Sequence, residues 1–217
     1  RIEYLDAGCI RAVNAFSNLE EAEADTLFLE FHGSEAGVGE QVEMFQQIAE
    51  DHGGSDFRWA AKEEDRSRLW AARHSAYTAT VRQRPGARGW ASDVCVPISA
   101  LPGCIEHAKA LLADCPVPAS IMGHVGDGNF HVVFSLDPES AEEQEAVARI
   151  NDAMVERALE CDGTCTGEHG VGLGKRKYME REHGTALKLM RRIKATLDPD
   201  DLMNPQKIFP PERTGNA

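Results

Sequence analysis

Apolar residues are distributed along the chain in two alternating patterns, short compact runs and longer stretches with helical periodicity. The short runs predict strands at 26–31, 56–60, 90–96, 120–122 and 130–136. The periodic stretches predict helices at 37–51, 63–80, 101–113, 138–161 and 182–197. The residues that follow contain several prolines and fit neither pattern, which indicates an irregular tail.

The strands at 120–122 and 130–136 flank a glycine-rich turn, and strands joined so closely have to be antiparallel. Strand and helix patterns otherwise alternate along the chain. The sequence therefore predicts an α+β fold, with an antiparallel-containing sheet and helices packed on one face of it. At 217 residues the chain is long enough for one substantial core, or for one domain with an appended segment.

The turn between these two strands is flanked by two histidines that are candidate functional residues. Asp127-Gly128 is a preferred centre of a two-residue hairpin turn, which places His124 directly opposite His131 with Cβ atoms roughly 5 Å apart. Two imidazoles so placed are either an ordinary half-buried cross-strand pair or two ligands of one metal ion. The glycines around them favour a metal, because glycine lets the backbone approach a ligand closely.

Glu168 and His169 form a second polar cluster, with a glycine on each side. In extended backbone their side chains point to opposite sides, so that one can bind a metal while the other faces a substrate. A water-exposed loop pair is the alternative. Two histidines and one carboxylate with an open position are typical of catalytic zinc, and manganese or iron also accepts these ligands.

Two further segments contain residue types that are typical of binding elements. Arg73 lies among apolar and aromatic residues, where a guanidinium can hold a carboxylate through two hydrogen bonds. A surface arginine whose stem packs along a helix is the alternative. The glycine-rich segment 170–175 superficially resembles a phosphate-binding loop, but its spacing does not fit and Arg176 stands where Ser or Thr is required. We therefore reject a nucleotide-binding loop.

Composition and charge narrow the class of protein. The formal net charge of −13 argues against nucleic-acid binding. No stretch approaches the ~20 apolar residues of a membrane helix, and no signal peptide is recognised. The chain begins with Arg1 rather than methionine, which suggests a piece of a longer polypeptide. Six cysteines without a CxxC pair fit a reducing compartment such as the cytoplasm, with Cys161 and Cys165 as a less favoured pair of metal ligands.

Four segments, in order, resemble one known family: 92–99 (SDVCVPIS), 123–131 (GHVGDGNFH), 163–170 (GTCTGEHG) and 202–205 (LMNP). Together they are similar to the C-terminal half of FAD-linked 2-hydroxy acid dehydrogenases, closest to the cytochrome-type D-lactate dehydrogenases and to the flavoprotein subunit of glycolate oxidase. The resemblance implies the ferredoxin-like cap domain of a flavoenzyme of the vanillyl-alcohol-oxidase type. Residues 1–197 would form this cap with the substrate site, and residues 198–217 a tail that returns toward a separate FAD-binding half.

The resemblance also implies roles for individual residues. It implies oxidation of a small D-2-hydroxy acid to the 2-oxo acid, in which a base removes the hydroxyl proton and FAD takes the C2 hydrogen as hydride. A divalent metal, zinc or manganese, would assist by binding the substrate oxygens. The roles are metal ligation for His124, His131 and Glu168, the catalytic base for His169, substrate-carboxylate binding for Arg73, and contact with the flavin for Asn204.

The substrate and partners follow from the same resemblance. Related dehydrogenases of a larger hydroxy diacid carry polar residues at the positions of Val133 and Ala91, so the apolar residues here favour a small monocarboxylate such as D-lactate. Electrons would leave to cytochrome c, a quinone or an electron-transfer flavoprotein. The protein would be cytoplasmic, peripheral at the inner membrane, or mitochondrial in a eukaryote. The family's tail commonly has glycine where this chain has Gln206, which leaves the flavin contact open.

The sequence leaves two alternatives to the flavoenzyme cap. A flavin-independent, metal-dependent hydrolase would use the same three ligands with water at the open position. A non-catalytic binding module is the second alternative. If the chain is the flavoenzyme cap, we expect it to have no dehydrogenase activity without the FAD-binding half.

Overall fold

The computed structural model describes residues 1–60 and 62–211. Its strands are β1 (Ile2–Leu5), β2 (Thr26–Leu29), β3 (Arg88–Ala91), β4 (Val94–Cys95), β5 (Ala119–His124) and β6 (Asn129–Leu136). Its α-helices are α1 (Ala7–Ser17), α2 (Glu35–Asp51), α3 (Glu63–Val81), α4 (Leu101–Leu112), α5 (Ala141–Glu160), α6 (Met179–His183) and α7 (Ala186–Leu197). Within these residues, no helix is both long and apolar enough to cross a membrane.

The strands of the described residues form one sheet in the order β2-β1-β5-β6-β3, with β4 also paired to β6. Each of these pairings is antiparallel. β3 and β4 pair with β6 in one continuous register, Ala91 with Val133 and Val94 with Phe130. They are therefore two parts of one strand, which is interrupted at Ser92-Asp93 beside the strand that carries the second histidine.

Helices cover both faces of the sheet. On one face α4 and α5 pack against Ile121 and Val132. On the other face α1 and α3 pack against Met122 and Val133. Every residue of β6 is buried, and a strand that is apolar at successive positions needs cover on both sides. The α+β class and the antiparallel sheet are confirmed, whereas the prediction of helices on one face only was wrong.

Several local predictions also change. β1 and α1 form in a region where we predicted neither, and Asp6 caps α1 by accepting a hydrogen bond from the Cys9 amide at 2.7 Å, a contact that contributes about 1 kcal/mol. No strand forms at 56–60. The helix predicted at 182–197 is broken at Gly184, whose φ of 51° lies outside the helical region. The apolar stripe of α2 contributes no buried residue.

Candidate metal and substrate site

The β5–β6 hairpin has a longer turn than the sequence suggested. Val125–Asp127 forms one 3-10 turn that ends at Gly128 with a φ of 78°, and His124 pairs with Asn129 rather than with His131. The expected direct pairing of the two histidines was therefore wrong. The register differs by two residues, which keeps both histidines on one face as diagonal neighbours. Their ring centroids lie 5.8 Å apart with the rings nearly perpendicular.

Each histidine uses its Nδ1 atom in a hydrogen bond within the protein. His124 Nδ1 lies 2.9 Å from Glu3 Oε1, and His131 Nδ1 lies 3.0 Å from the Ser92 carbonyl oxygen. Because both partners are acceptors, Nδ1 is the donor in each ring, and the neutral form of each ring has its free lone pair on Nε2. A histidine that donates its other N–H to a carboxylate or carbonyl is the usual arrangement of a metal ligand.

Glu168 lies where the two Nε2 lone pairs converge. Its Oε1 atom is 3.2 Å from His131 Nε2 and 3.5 Å from His124 Nε2, and the three ligand atoms lie within 4.8 Å of one another. Ligand atoms bound to one tetrahedral zinc are separated by about 3.4 Å, given zinc–ligand distances of roughly 2.0–2.2 Å. Burial lowers the pKa of His131, which favours the neutral imidazole that a metal requires. The donor set therefore fits a divalent metal.

His169 lies beside this trio and outside it. Its ring stacks on that of His131, with centroids 5.0 Å apart and planes inclined by 17°. Its Nε2 atom is 3.8 Å from Glu168 Oε1, and its side chain is 46% exposed. The Glu168 and His169 side chains therefore end close together beside His131, and the prediction that they point to opposite sides was wrong, because residues 167–169 form a bend rather than extended backbone. The role of His169 as the base stays a prediction.

Asp93 is a prominent site residue that the sequence reasoning missed. Its carboxylate is fully buried and accepts hydrogen bonds from the amides of residues 167–169, and from the side chains of Asn129 and Lys175. Burial alone would raise the pKa of Asp93, but the hydrogen bonds from the His169 amide, Asn129 and Lys175 lower it far below its usual value. An acidic residue inside an apolar strand was the available sequence signal.

A second group with metal-ligand geometry consists of Asp93, His131 and His169. It is less suited to a metal, because the Asp93 oxygens already accept several hydrogen bonds. In addition, His131 Nδ1, which lies 3.7 Å from Asp93 Oδ1, already donates to the Ser92 carbonyl. The trio of His124, His131 and Glu168 is the better candidate.

Arg73 reaches the same site through Glu3, another residue that the sequence reasoning missed. Arg73 Nε donates to Glu3 Oε2 at 3.0 Å, and Nη2 of the same guanidinium lies 2.9 Å from that oxygen. Glu3 is 1% exposed. Burial acts to raise the pKa of Glu3, but hydrogen bonds from His124 and Arg1 and the charge of Arg73 lower it overall. Arg73, Glu3 and His124 therefore form one connected chain of charged and polar groups.

Asn204 is not brought into this cluster. It lies exposed in the tail with a φ of 50° and makes no hydrogen bond to the histidines within the described part of the chain. The tail packs elsewhere, since Arg176 Nη1 donates to the Gln206 carbonyl at 2.7 Å and the Ile208 amide donates to the Gly172 carbonyl at 3.1 Å. Residues 212–217 of the predicted tail segment lie outside the described residues.

The cysteines do not contribute to the candidate metal site. Cys161 Sγ lies 4.0 Å from Cys104 Sγ, and burial raises the pKa of the Cys165 thiol to about 12. Neither Cys161 nor Cys165 belongs to a group with metal-ligand geometry among the described residues. Buried or half-buried free thiols are therefore the better description of both.

Comparison with known proteins places the chain in a family. The family described as FAD linked oxidases, C-terminal domain, matches residues 1–208. The chain is 51% identical over 210 residues to a probable mitochondrial D-lactate dehydrogenase of Danio rerio, covering 96% of the chain and 42% of that protein. It is 47% identical over 212 residues to the mitochondrial D-lactate dehydrogenase [cytochrome] of Arabidopsis thaliana, covering 97% and 37%. A glycolate oxidase subunit of Escherichia coli K12 is 32% identical over 213 residues, covering 96% and 42%.

A solved structure supports the fold. The chain superposes on 4-ethylphenol oxidase from Gulosibacter chungangensis with a TM-score of 0.68 and 17% identity, covering 96% of the chain and 47% of the oxidase. This likeness shows the fold alone, and it agrees with the flavoenzyme fold that the resemblance implied. The chain spans about two fifths of the length of the curated relatives. The comparisons give no support to the hydrolase alternative. Because the family model matches residues 1–208, the chain belongs to the family of C-terminal domains of FAD-linked oxidases.

Proposed function

We propose that the chain is the substrate-side domain of an FAD-dependent dehydrogenase that oxidises a small D-2-hydroxy acid, D-lactate in the first instance, to the 2-oxo acid. The observation that carries this proposal is the convergence of His124, His131 and Glu168 on one point, with His169 stacked beside them. The D-lactate dehydrogenases among the relatives support the substrate class. The proposal concerns the whole enzyme, and we expect the chain alone to be inactive.

The chain's own residues account for binding and proton removal. When bound, a divalent metal such as zinc or manganese supplies a Lewis acid for the substrate oxygens, and FAD supplies the hydride acceptor. The metal would be held by the Nε2 atoms of His124 and His131 and by the Glu168 carboxylate. His169, exposed at the edge of this trio, would accept the proton of the substrate hydroxyl, as neutral imidazoles commonly do.

Arg73 is the proposed anchor for the substrate carboxylate. Among the described residues, its hydrogen-bond and ion-pair contacts go from Nε and Nη2 to Glu3. A guanidinium has five N–H donors, so the two on Nη1 remain for a substrate oxygen. Its side chain is 13% exposed. Because Glu3 also contacts His124, the same arginine would place the carboxylate next to the metal ligands.

The remaining parts of the proposal concern the whole enzyme. We propose that residues 198–217 form the tail that faces the FAD-binding half, with Asn204 near the flavin. Electrons would pass to cytochrome c, a quinone or an electron-transfer flavoprotein, and the name of the Arabidopsis relative supports cytochrome. Two relatives are named as mitochondrial, which supports that location if the protein comes from a eukaryote. In other sources we propose a cytoplasmic protein, free or peripheral at the inner membrane.

Substrate choice provides the test of the proposed function. Val133 and Ala91 are direct cross-strand partners, so the positions that carry polar residues in diacid-specific relatives lie side by side and are both apolar. A second carboxylate would find no partner there, and an unmatched charged group costs enough free energy to reduce kcat/KM at least ~10-fold. We therefore expect the full-length protein to oxidise D-lactate with a higher kcat/KM than D-2-hydroxyglutarate.

The measurement is steady-state turnover of both acids with a dye acceptor, with L-lactate as a control for stereochemistry. Comparable kcat/KM values for D-lactate and D-2-hydroxyglutarate would contradict the proposed substrate. Absence of turnover of any 2-hydroxy acid by FAD-loaded protein would contradict the proposed function as a whole.

A further inference from the structure

We propose that Asp93 is a positioning residue, whose buried carboxylate, balanced by Lys175, holds the backbone of residues 167–169 so that Glu168 and His169 face the histidine pair. This inference rests on the proposed function, because it concerns the loop that supplies a metal ligand and the base. It assigns to Asp93 no contact with the substrate or the metal.

Asp93 is placed by an interruption in the sheet. β3 ends at Ala91 and β4 begins at Val94, although both continue one register along β6. At the interruption, Ser92 Oγ accepts a hydrogen bond from the Val132 amide at 2.8 Å. The serine side chain thus replaces a backbone acceptor in the hydrogen-bond ladder with β6. The Asp93 side chain is thus available for the loop opposite, and it is completely buried there.

Three consecutive backbone amides donate to this carboxylate. The distances to Asp93 Oδ2 are 2.9 Å from the Gly167 amide, 3.2 Å from the Glu168 amide and 3.0 Å from the His169 amide. The Thr166 hydroxyl donates to the same oxygen at 2.9 Å. A backbone held at three successive amides has little freedom, so the directions in which the Glu168 and His169 side chains leave it are determined.

Charge balance comes from Lys175. Its Nζ atom lies 3.0 Å from Asp93 Oδ2 and 2.9 Å from the Asp93 carbonyl oxygen, and the lysine side chain is 17% exposed. A buried carboxylate is costly unless it is paired and its lone pairs are satisfied, and here both conditions are met. Asn129 completes the set with a hydrogen bond from Nδ2 to Asp93 Oδ1 at 2.8 Å. These contacts keep the loop in place with donors from the protein alone.

The test removes the negative charge of the Asp93 side chain and keeps its size and shape. In the full-length protein we expect Asp93→Asn to lower the affinity for added Zn²⁺ about 10–100-fold, measured by competition with a chromogenic chelator, because Glu168 is no longer held at the histidines. With zinc at saturation we expect kcat for D-lactate to fall on the order of 10²-fold while KM stays near the wild-type value, because His169 is displaced and Arg73 is not.

Asp6→Asn is the matched control. Asp6 is a half-buried carboxylate that also accepts a backbone hydrogen bond, from the Cys9 amide, but it makes no hydrogen bond to the metal-site residues within the described ranges. We expect this variant to lower the temperature of unfolding and to keep the zinc affinity and kcat of the wild type. A general loss of stability would affect both variants alike.

Wild-type zinc affinity and kcat in a folded Asp93→Asn variant would overturn the positioning role and leave the proposed function intact. If Asp93→Asn does not fold, Lys175→Gln and Lys175→Arg replace it. We expect a several-fold loss of zinc affinity and kcat in Lys175→Gln and near-complete rescue in Lys175→Arg, and equal values in the two lysine variants would overturn the proposal. Wild-type protein that binds no zinc would instead count against the metal site itself.

Discussion

Replacing His169 by alanine in the full-length protein is expected to lower the turnover of D-lactate by about 10²–10⁴-fold, the usual contribution of a general base. The metal content should stay unchanged. The reason is geometric, because the His169 ring stacks on His131 without belonging to the trio whose ligand atoms converge. The variant thus removes the proton acceptor and leaves all three proposed ligands in place.

The measurement combines steady-state kinetics with elemental analysis of the same protein preparation. His52→Ala is a suitable control, because His52 is exposed at the end of α2, a helix with no buried residue. We expect that control to match the wild type in both measurements. Loss of the metal from His169→Ala would show that the roles of Glu168 and His169 have been exchanged, and full turnover would show that His169 is not the base.

Gly167→Ala should produce the second large effect. A Cβ atom built on Gly167 would lie 1.7 Å from Asn129 Nδ2 and 2.8 Å from Asp93 Oδ1, both of which are buried. The segment therefore has to move away from Asp93, and Glu168 and His169 move with it. A displacement of about 1 Å at catalytic groups can cost on the order of 10²-fold in rate. We expect a fall of that size in kcat, together with weaker zinc binding.

Gly172→Ala is the matched control in the same glycine-rich segment. A Cβ atom at Gly172 would meet no other atom within 4 Å, and its φ lies outside the left-handed range. Zinc titration and D-lactate kinetics should therefore separate the two alanine variants clearly. Equal behaviour of Gly167→Ala, Gly172→Ala and the wild type would contradict the close packing of the 167–169 segment against Asp93.

Local sequence patterns predicted the parts of the site that depend on short-range structure. The hairpin was recognisable because two strand-length runs flank Asp127-Gly128, and the shared face of His124 and His131 was correct. The pairing register was wrong by two residues. The turn begins at Val125, two residues earlier than the predicted two-residue loop, and β4 lies directly beside it, with Val96 donating its amide to the Gly128 carbonyl at 3.0 Å. Such a neighbour is not visible in the local pattern.

Long-range partners of the site could not be predicted. Glu3 contacts His124 across 121 positions of the chain and Arg73 across 70, and its strand β1 is too short to give a clear pattern. Asp93 reaches the 167–169 segment only because the strand is interrupted beside β6. Charged residues at such positions look like surface residues in the sequence, and only the three-dimensional arrangement shows what they bind.

The placement of the helices failed for a related reason. β6 has apolar residues at the successive positions 132–134, which indicates burial on both faces, and the prediction of a one-sided sheet did not take this into account. Neighbouring residues of β6 belong to different hydrophobic cores. Val132 packs with α4 and α5, and Val133 packs with α1 and α3. Of the two helices on the second face, the sequence predicted α3 and not α1, and it gave no sign that α3 lies opposite α4 and α5.

The most direct test of the central claim is the metal content of the full-length protein, measured by elemental analysis beside a His124→Ala, His131→Ala double variant. The claim is that His124, His131 and Glu168 hold one divalent metal. It predicts about one zinc or manganese ion per chain in the wild type and none in the double variant, because a site of three protein ligands does not survive the loss of two. A wild type without metal, or a double variant that keeps the same metal content, would contradict it.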